Sequence, residues 1–221
     1  MNPIACLGTL MIAAFATVGE GEEKDRVFVG YLYGQPRALD YRLYTHLCHA
    51  FLVADGDGKI RPGGNVPNRG LTEEAHKAGV KVLISLGGWG WDKQFGEMVK
   101  SHDAEDRYVA DVLKMVEEFG YDGLDLDWEY PDTAEEVEGF ERLVRRFRAG
   151  LDEQGRKRDQ PMRLTMAASA NPGTLKWLAT PFLVETMDWV NVMTYDMAGD
   201  WTPYAGHHAP LHASSRVAGG G

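Results

Sequence analysis

The chain has 221 residues, 44% hydrophobic and 25% charged, with 26 Gly, 10 Pro and 2 Cys, which is ordinary globular composition. Disordered, collagen-like and disulfide-stapled classes are excluded, and the length admits one full hydrophobic core. The 33 acidic and 23 basic residues leave a net charge of −10, the opposite of the balance that neutralises nucleic-acid phosphates, so no nucleic-acid partner is expected.

The first element is an apolar run, Ile4 to Val18, containing the small-x-small triplet Ala14-Phe15-Ala16, with charge appearing at Glu20. This pattern predicts a signal peptide over residues 1–16 and a secreted protein, extracellular or periplasmic. The run is shorter than the roughly 20 apolar residues that span a bilayer, so no membrane contact is expected after its removal. Cleavage there removes Cys6 and leaves Cys48 in an apolar segment, where a buried structural thiol is expected.

From residue 27 onward, short runs rich in β-branched and aromatic residues recur: Val27 to Tyr33, Leu47 to Ala54, Val80 to Leu86, Gly123 to Glu129, Leu164 to Ser169 and Trp189 to Tyr195. Stretches of helical period lie between them, notably Glu105 to Phe119 and Ala134 to Leu151. Gly79 and Gly120 stand where helix C-caps should lead into strands. Strand then helix, repeated, predicts an α/β fold with parallel strands. The basic stretch Arg142 to Arg148 with Arg156 to Arg158 is expected to be a solvated helix face.

A doubly wound sheet and a (β/α) barrel both fit this order. No Gly-x-Gly-x-x-Gly follows the first strand, where Gly30 and Gly34 have the wrong spacing. Polar and aromatic residues instead gather at successive strand ends: Tyr31 and Tyr33, Ser85 with Trp89, Asp127 and Glu129, Tyr195 and Asp196. That distribution is the habit of the TIM barrel.

The densest chemistry is Asp122-Gly123-Leu124-Asp125-Leu126-Asp127-Trp128-Glu129-Tyr130-Pro131. Alternation along a strand sends Asp125, Asp127 and Glu129 to one face and Leu124, Leu126 and Trp128 to the other. Three carboxyls stacked about 6–7 Å apart toward a packed interior should share protons. Repulsion and desolvation are expected to leave Glu129 protonated near neutral pH, as a general acid.

Asp122-x-x-Asp125-x-Asp127-x-Glu129 followed by Tyr130-Pro131 resembles the catalytic signature of glycoside hydrolase family 18, the chitinase family. Ser85-Leu86-Gly87-Gly88-Trp89, Met193-Thr194-Tyr195-Asp196 and Gly206-His207-His208-Ala209-Pro210-Leu211 are similar to further blocks of that family, in order, over roughly Val27 to Leu211. The resemblance implies retaining hydrolysis of β-1,4-linked N-acetylglucosamine, in chitin or its oligosaccharides, by a substrate-assisted mechanism with no cofactor or metal. It implies Glu129 as acid/base, Asp127 as the acetamide N–H acceptor, Asp125 as the partner sharing the Asp127 proton, and Tyr195 as donor to the acetamide oxygen. Asp196, Met193, Tyr31, Trp89, Tyr130 and Trp201 would contact substrate, while Asp122, Gly123, Ser85, Gly87 and Gly88 complete the structural motifs. The alternatives are a silent chitin-binding protein of the same fold and an inactive fragment of a chitinase.

Trp128, Trp177 and Trp189 are assigned to packing and Ser85 to a place beneath the carboxylates. His208 and His212 are four apart, but Pro210 between them opposes the helix that a metal pair would need. The six strand starts average roughly 32 residues apart, so eight units would need on the order of 250 residues. The expectation is therefore a TIM-barrel type (β/α)8 domain over 25–221, incomplete, with only about the first six βα units present, two open sheet edges and one exposed side of the core.

Overall fold

The computed structural model describes residues 26–34, 38–61, 64–178 and 180–212; the expected signal peptide and Cys6 lie outside them. Six strands form in chain order: β1 Val29–Tyr33, β2 His46–Leu52, β3 Lys81–Gly87, β4 Gly123–Asp127, β5 Arg163–Ser169 and β6 Trp189–Met193. All five pairings are parallel, and spatial order equals sequence order, β1 to β6. The helices are α1 Arg69–Lys77, α2 Asp92–Met98, α3 His102–Phe119, α4 Ala134–Arg158, α5 Pro172–Leu175 and α6 Thr180–Thr186. Among the described residues no helix is long and apolar enough to cross a membrane.

Local chemistry sets the helix ends. Ser101 caps α3 by accepting from Ala104 N, and Gly120 ends that helix in the left-handed region at φ 75°. Thr133 and Glu136 form a reciprocal capping box at the start of α4. Gly79, at φ 77°, sits one residue beyond the α1 cap, which is Ala78.

The sheet curls into an open half-barrel. Asn191 on β6 reaches Tyr31 on β1, Nδ2 to Oη 3.1 Å, and the Trp189 ring meets His46 of β2 edge-on at 4.8 Å. Both sheet edges, β1 and β6, are open as expected, and these side-chain contacts link them across the interior. The outer face of the central strands is the core: Leu124, Leu126 and Trp128 are buried with Tyr108, Phe140 and Phe147 under the helices. Trp128 stacks on Phe95 at 5.1 Å and donates its indole N–H to Asp92. Trp189, expected to pack, does so through His46; Trp177 instead lies beneath the Lys176 ammonium.

The basic stretch is more than a solvated face. Arg142 and Arg146 both pair with the Glu105 carboxylate, which is fully buried between α3 and α4. Arg148 and Arg163 meet Asp188, and Arg158 donates to the Tyr121 and Val116 carbonyls. A buried carboxylate must be paired, so these arginines bolt α4 to its neighbours rather than simply solvate it.

Asp122 stands at the opposite end of β4 from the carboxylate stack. It accepts from His76 Nε2 at 2.7 Å, Lys81 Nζ at 3.0 Å and Val82 N at 2.8 Å, anchoring α1, β3 and β4 together. Gly123 beside it has φ 154°, and a Cβ there would lie 1.9 Å from the Arg163 carbonyl oxygen. Only glycine lets β4 enter alongside β5.

Candidate active site

Asp125 lies at the heart of the interior, fully buried. Register places Ser85, Asp125 and Thr165 in one row across β3, β4 and β5. Ser85 Oγ and Tyr31 Oη each donate to Asp125 Oδ2 at 2.8 Å, while Thr165 Oγ1 at 2.6 Å and Asn191 Nδ2 at 3.2 Å donate to Oδ1. Burial raises the Asp125 pKa and these donors oppose it. Cys48 is buried on β2, its thiol pushed up by burial and by Asp125.

Asp127 ends β4 with 4% exposure, and its Oδ1 has no hydrogen-bond partner among the described residues. Burial, then the Glu129 and Asp125 charges, push its pKa up to about 8. Glu129 lies two residues beyond the strand, half-buried, and accepts from Tyr130 Oη at 2.8 Å. Burial raises its pKa, the Tyr130 hydroxyl lowers it and the Asp196 charge raises it. Burial thus pushes both carboxyls toward their protonated forms, Asp127 without a compensating donor and Glu129 against the Tyr130 hydroxyl. Asp125 and Asp127 share no hydrogen bond among the described residues, because four other donors occupy Asp125. The expected sharing of one proton between those two is absent from this arrangement.

Tyr195 and Asp196 follow β6. The Tyr195 phenol is raised by burial and by the charges of Asp127, Glu129 and Asp196, which places it electrostatically against the stack. Its ring stacks on His208 at 5.9 Å, and His208 Nδ1 lies 3.5 Å from Asp196 Oδ1. Asp196 takes the left-handed conformation, φ 61°, which turns the chain back so that Met197 N reaches the His208 carbonyl at 2.9 Å. His208 thus partners these side chains, while no group of three His, Cys, Asp or Glu able to hold a metal exists among the described residues.

Gly87 closes β3 at φ 107°, where a Cβ would lie 2.4 Å from the Asp127 carbonyl oxygen, and Gly88 N donates to that oxygen at 2.8 Å. These glycines let the β3 loop lie against the end of the acidic strand. It carries Trp89, 80% exposed; Trp201, beyond β6, is 65% exposed with its ring folded over Gly199. No hydrogen bond among the described residues ties either indole to the carboxyls, and Met193 ends β6 half-buried beside Ser169.

The comparisons with known proteins bear directly on this arrangement. The sequence model of "Glycosyl hydrolases family 18" matches residues 20–220. The chain belongs to glycosyl hydrolase family 18. Within that family it is similar to Chitinase B of Serratia marcescens, 32% identical over 171 residues, covering 72% of this chain and 33% of the relative. Chitinase 1 of Aphanocladium album is 28% identical over 208 residues, covering 81% and 48% respectively. The chain therefore spans a third to a half of the length of these two relatives. Among solved family-18 structures, a chitinase of Cycas revoluta in complex with (GlcNAc)3 superposes with a TM-score of 0.71 at 32% identity, over 80% of this chain and 55% of that one. A Group IV chitinase of Ostrinia furnacalis in complex with allosamidin gives 0.75 at 28%, over 87% and 57%.

Sequence reasoning missed Thr165, Asn191 and the pairing role of His208. Thr165 and Asn191 sit 40 and 66 residues from Asp125, and only their strand periodicity hinted that they face inward.

Proposed function

We propose that this chain hydrolyses β-1,4-linked N-acetylglucosamine in chitin or chito-oligosaccharides, with retention and with the substrate's acetamide as nucleophile. The observation that carries this reading is the ordered carboxyl stack: Asp125 saturated by four donors, Asp127 buried with one free oxygen, and Glu129 at the open end. The (GlcNAc)3 bound by the Cycas revoluta relative and the chitinase names of the others support the substrate class.

In this mechanism Asp127 Oδ1 accepts the acetamide N–H and turns the acetamide carbonyl toward the anomeric carbon. Glu129, protonated, donates to the glycosidic oxygen as that bond breaks and the carbonyl oxygen closes an oxazolinium ring. Tyr195 donates to the acetamide oxygen and Asp127 stabilises the positive ring. The Glu129 carboxylate then takes a proton from water, whose oxygen opens the ring on the face the leaving group left. Asp125 contributes a fixed floor held by its four donors, and Tyr31, Trp89, Trp201, Met193 and Asp196 line the sugar's approach. The run Ile4 to Val18 supports secretion, which suits an insoluble polymeric substrate.

A chromogenic chitobioside tests the reading. Turnover by this chain should fall about 10²–10⁴-fold or more in Glu129→Gln. Equal rates in both proteins would remove Glu129 from the mechanism. Binding of the oligosaccharide without cleavage by either would favour a silent carbohydrate-binding protein.

A further inference from the structure

Glu129 must serve twice, first as an acid and then as a base, so the groups that touch its oxygens set its usefulness. One group touches it directly. Tyr130 Oη donates to Glu129 Oε2 at 2.8 Å, from the adjacent residue. Ser169, at the end of β5, lies near enough to the phenol to lower its pKa, and Ser169 Oγ accepts from Asn171 N at 3.0 Å. The Tyr130 hydrogen is directed at Glu129. Asn171 also caps α5, accepting from Gly173 N at 2.8 Å, which fixes the segment after Ser169.

We propose that Tyr130 is a positioning residue for Glu129: its hydroxyl, donating to Oε2 at 2.8 Å, holds the Glu129 carboxylate in its ionised, water-activating form. Tyr130 thereby gains a role other than the sugar contact that the sequence suggested. The other charged and titratable groups around Glu129 all oppose ionisation or sit at one remove. From β4 these are Asp127 and, deeper, Asp125; from the segment after β6 they are Asp196 and Tyr195, with His208 paired to Asp196. Tyr130 is the direct donor to this carboxyl among the described residues. Burial and the Glu129 charge push the phenol well above its ordinary range, so it remains a donor throughout the working pH range. The assignment rests on Glu129 being the acid/base, but its effect on the carboxyl can be read without turnover.

The test is a pH titration of the 13C-labelled glutamate side-chain carboxyls in the full chain, the Glu129 signal being assigned by its loss in Glu129→Gln. In Tyr130→Phe the Glu129 midpoint should rise by about one pH unit, the effect of losing one charge-assisted hydrogen bond. Ser169→Ala should raise it by less, since the phenol remains but is less polarised. The alkaline limb of chitobioside hydrolysis should move to higher pH in the same order. An unchanged or lowered midpoint in Tyr130→Phe overturns the proposal. Should that variant lose its fold, an unchanged midpoint in Ser169→Ala does so. Shifted midpoints with no hydrolysis by any of the proteins would leave the Tyr130 donor standing and sink the glycosidase reading alone.

Discussion

Strands β4 and β6 both deliver polar side chains to the candidate site, and they do so from opposite surroundings. Every residue of β4 is buried, flanked by β3 and β5 and backed by Trp128 and the helices. No residue of β6 is fully buried, and Val192 on its outer face is 50% exposed. The carboxyls on β4 need a dry, immobile setting, because desolvation and mutual repulsion are what raise their pKa values. Tyr195 and Asp196 need reach instead, and a half-exposed edge held by His208 and by Asn191 supplies it. Protonation is thus set in the stiffest part of the molecule, and the groups facing it are carried by the softest.

The largest expected effect is on stability. Trp128→Ala should cost about 3–5 kcal/mol in urea unfolding, against less than about 0.5 kcal/mol for Val192→Ala. Similar losses at both would erase the contrast between the strands. Next comes Asn191→Ala, which removes a donor from both Tyr31 and Asp125. A loss of about 1–2 kcal/mol is expected, with faster amide exchange confined to β1 and β6. Faster exchange spreading through β4 would show that the two regions unfold together.

A further effect is a pH trend at Asp127. Its folded pKa of about 8 lies above the ordinary aspartate value of 3.8, so between those values the folded chain binds more protons than the unfolded one. The stability contributed by that group therefore falls as pH rises from about 4 to 8. Asp127→Asn lacks the titration and should gain on the parent chain across that window, with little difference near pH 4. A constant difference from pH 4 to pH 8, read by thermal melting, would mean that Asp127 titrates normally in the fold.

Much of the site was legible because its logic is local. Side chains two apart on one strand share a face, so Asp125, Asp127 and Glu129 could be aligned without knowing any neighbour. The same reasoning read Glu105 to Phe119 and Ala134 to Leu151 as helices from their apolar period, short of the observed ends at His102 and Arg158. It did not show which carboxyl finds donors, because those on Asp125 come from elsewhere in the chain. Arg142 and Arg146 were read as solvated for a related reason: their partner, Glu105, lies on another helix. The strand assigned to Gly123 to Glu129 ends at Asp127, and the last two residues turn out of the sheet.

By itself the sequence determined the parallel α/β order, the helix caps, and the shared face of Asp125 and Asp127 opposite Leu124 and Leu126, since each depends on residues within one turn or one strand. Tertiary structure alone decided which oxygens have donors. Tyr31, Ser85, Thr165 and Asn191 come from four strands, and only the curl of the sheet brings them to one carboxylate. It also decided that the edges β1 and β6, distant in sequence, meet through that same group. Hydrogen bonds of this kind act over about 3 Å, and no pattern along the chain encodes a distance that short between residues this far apart.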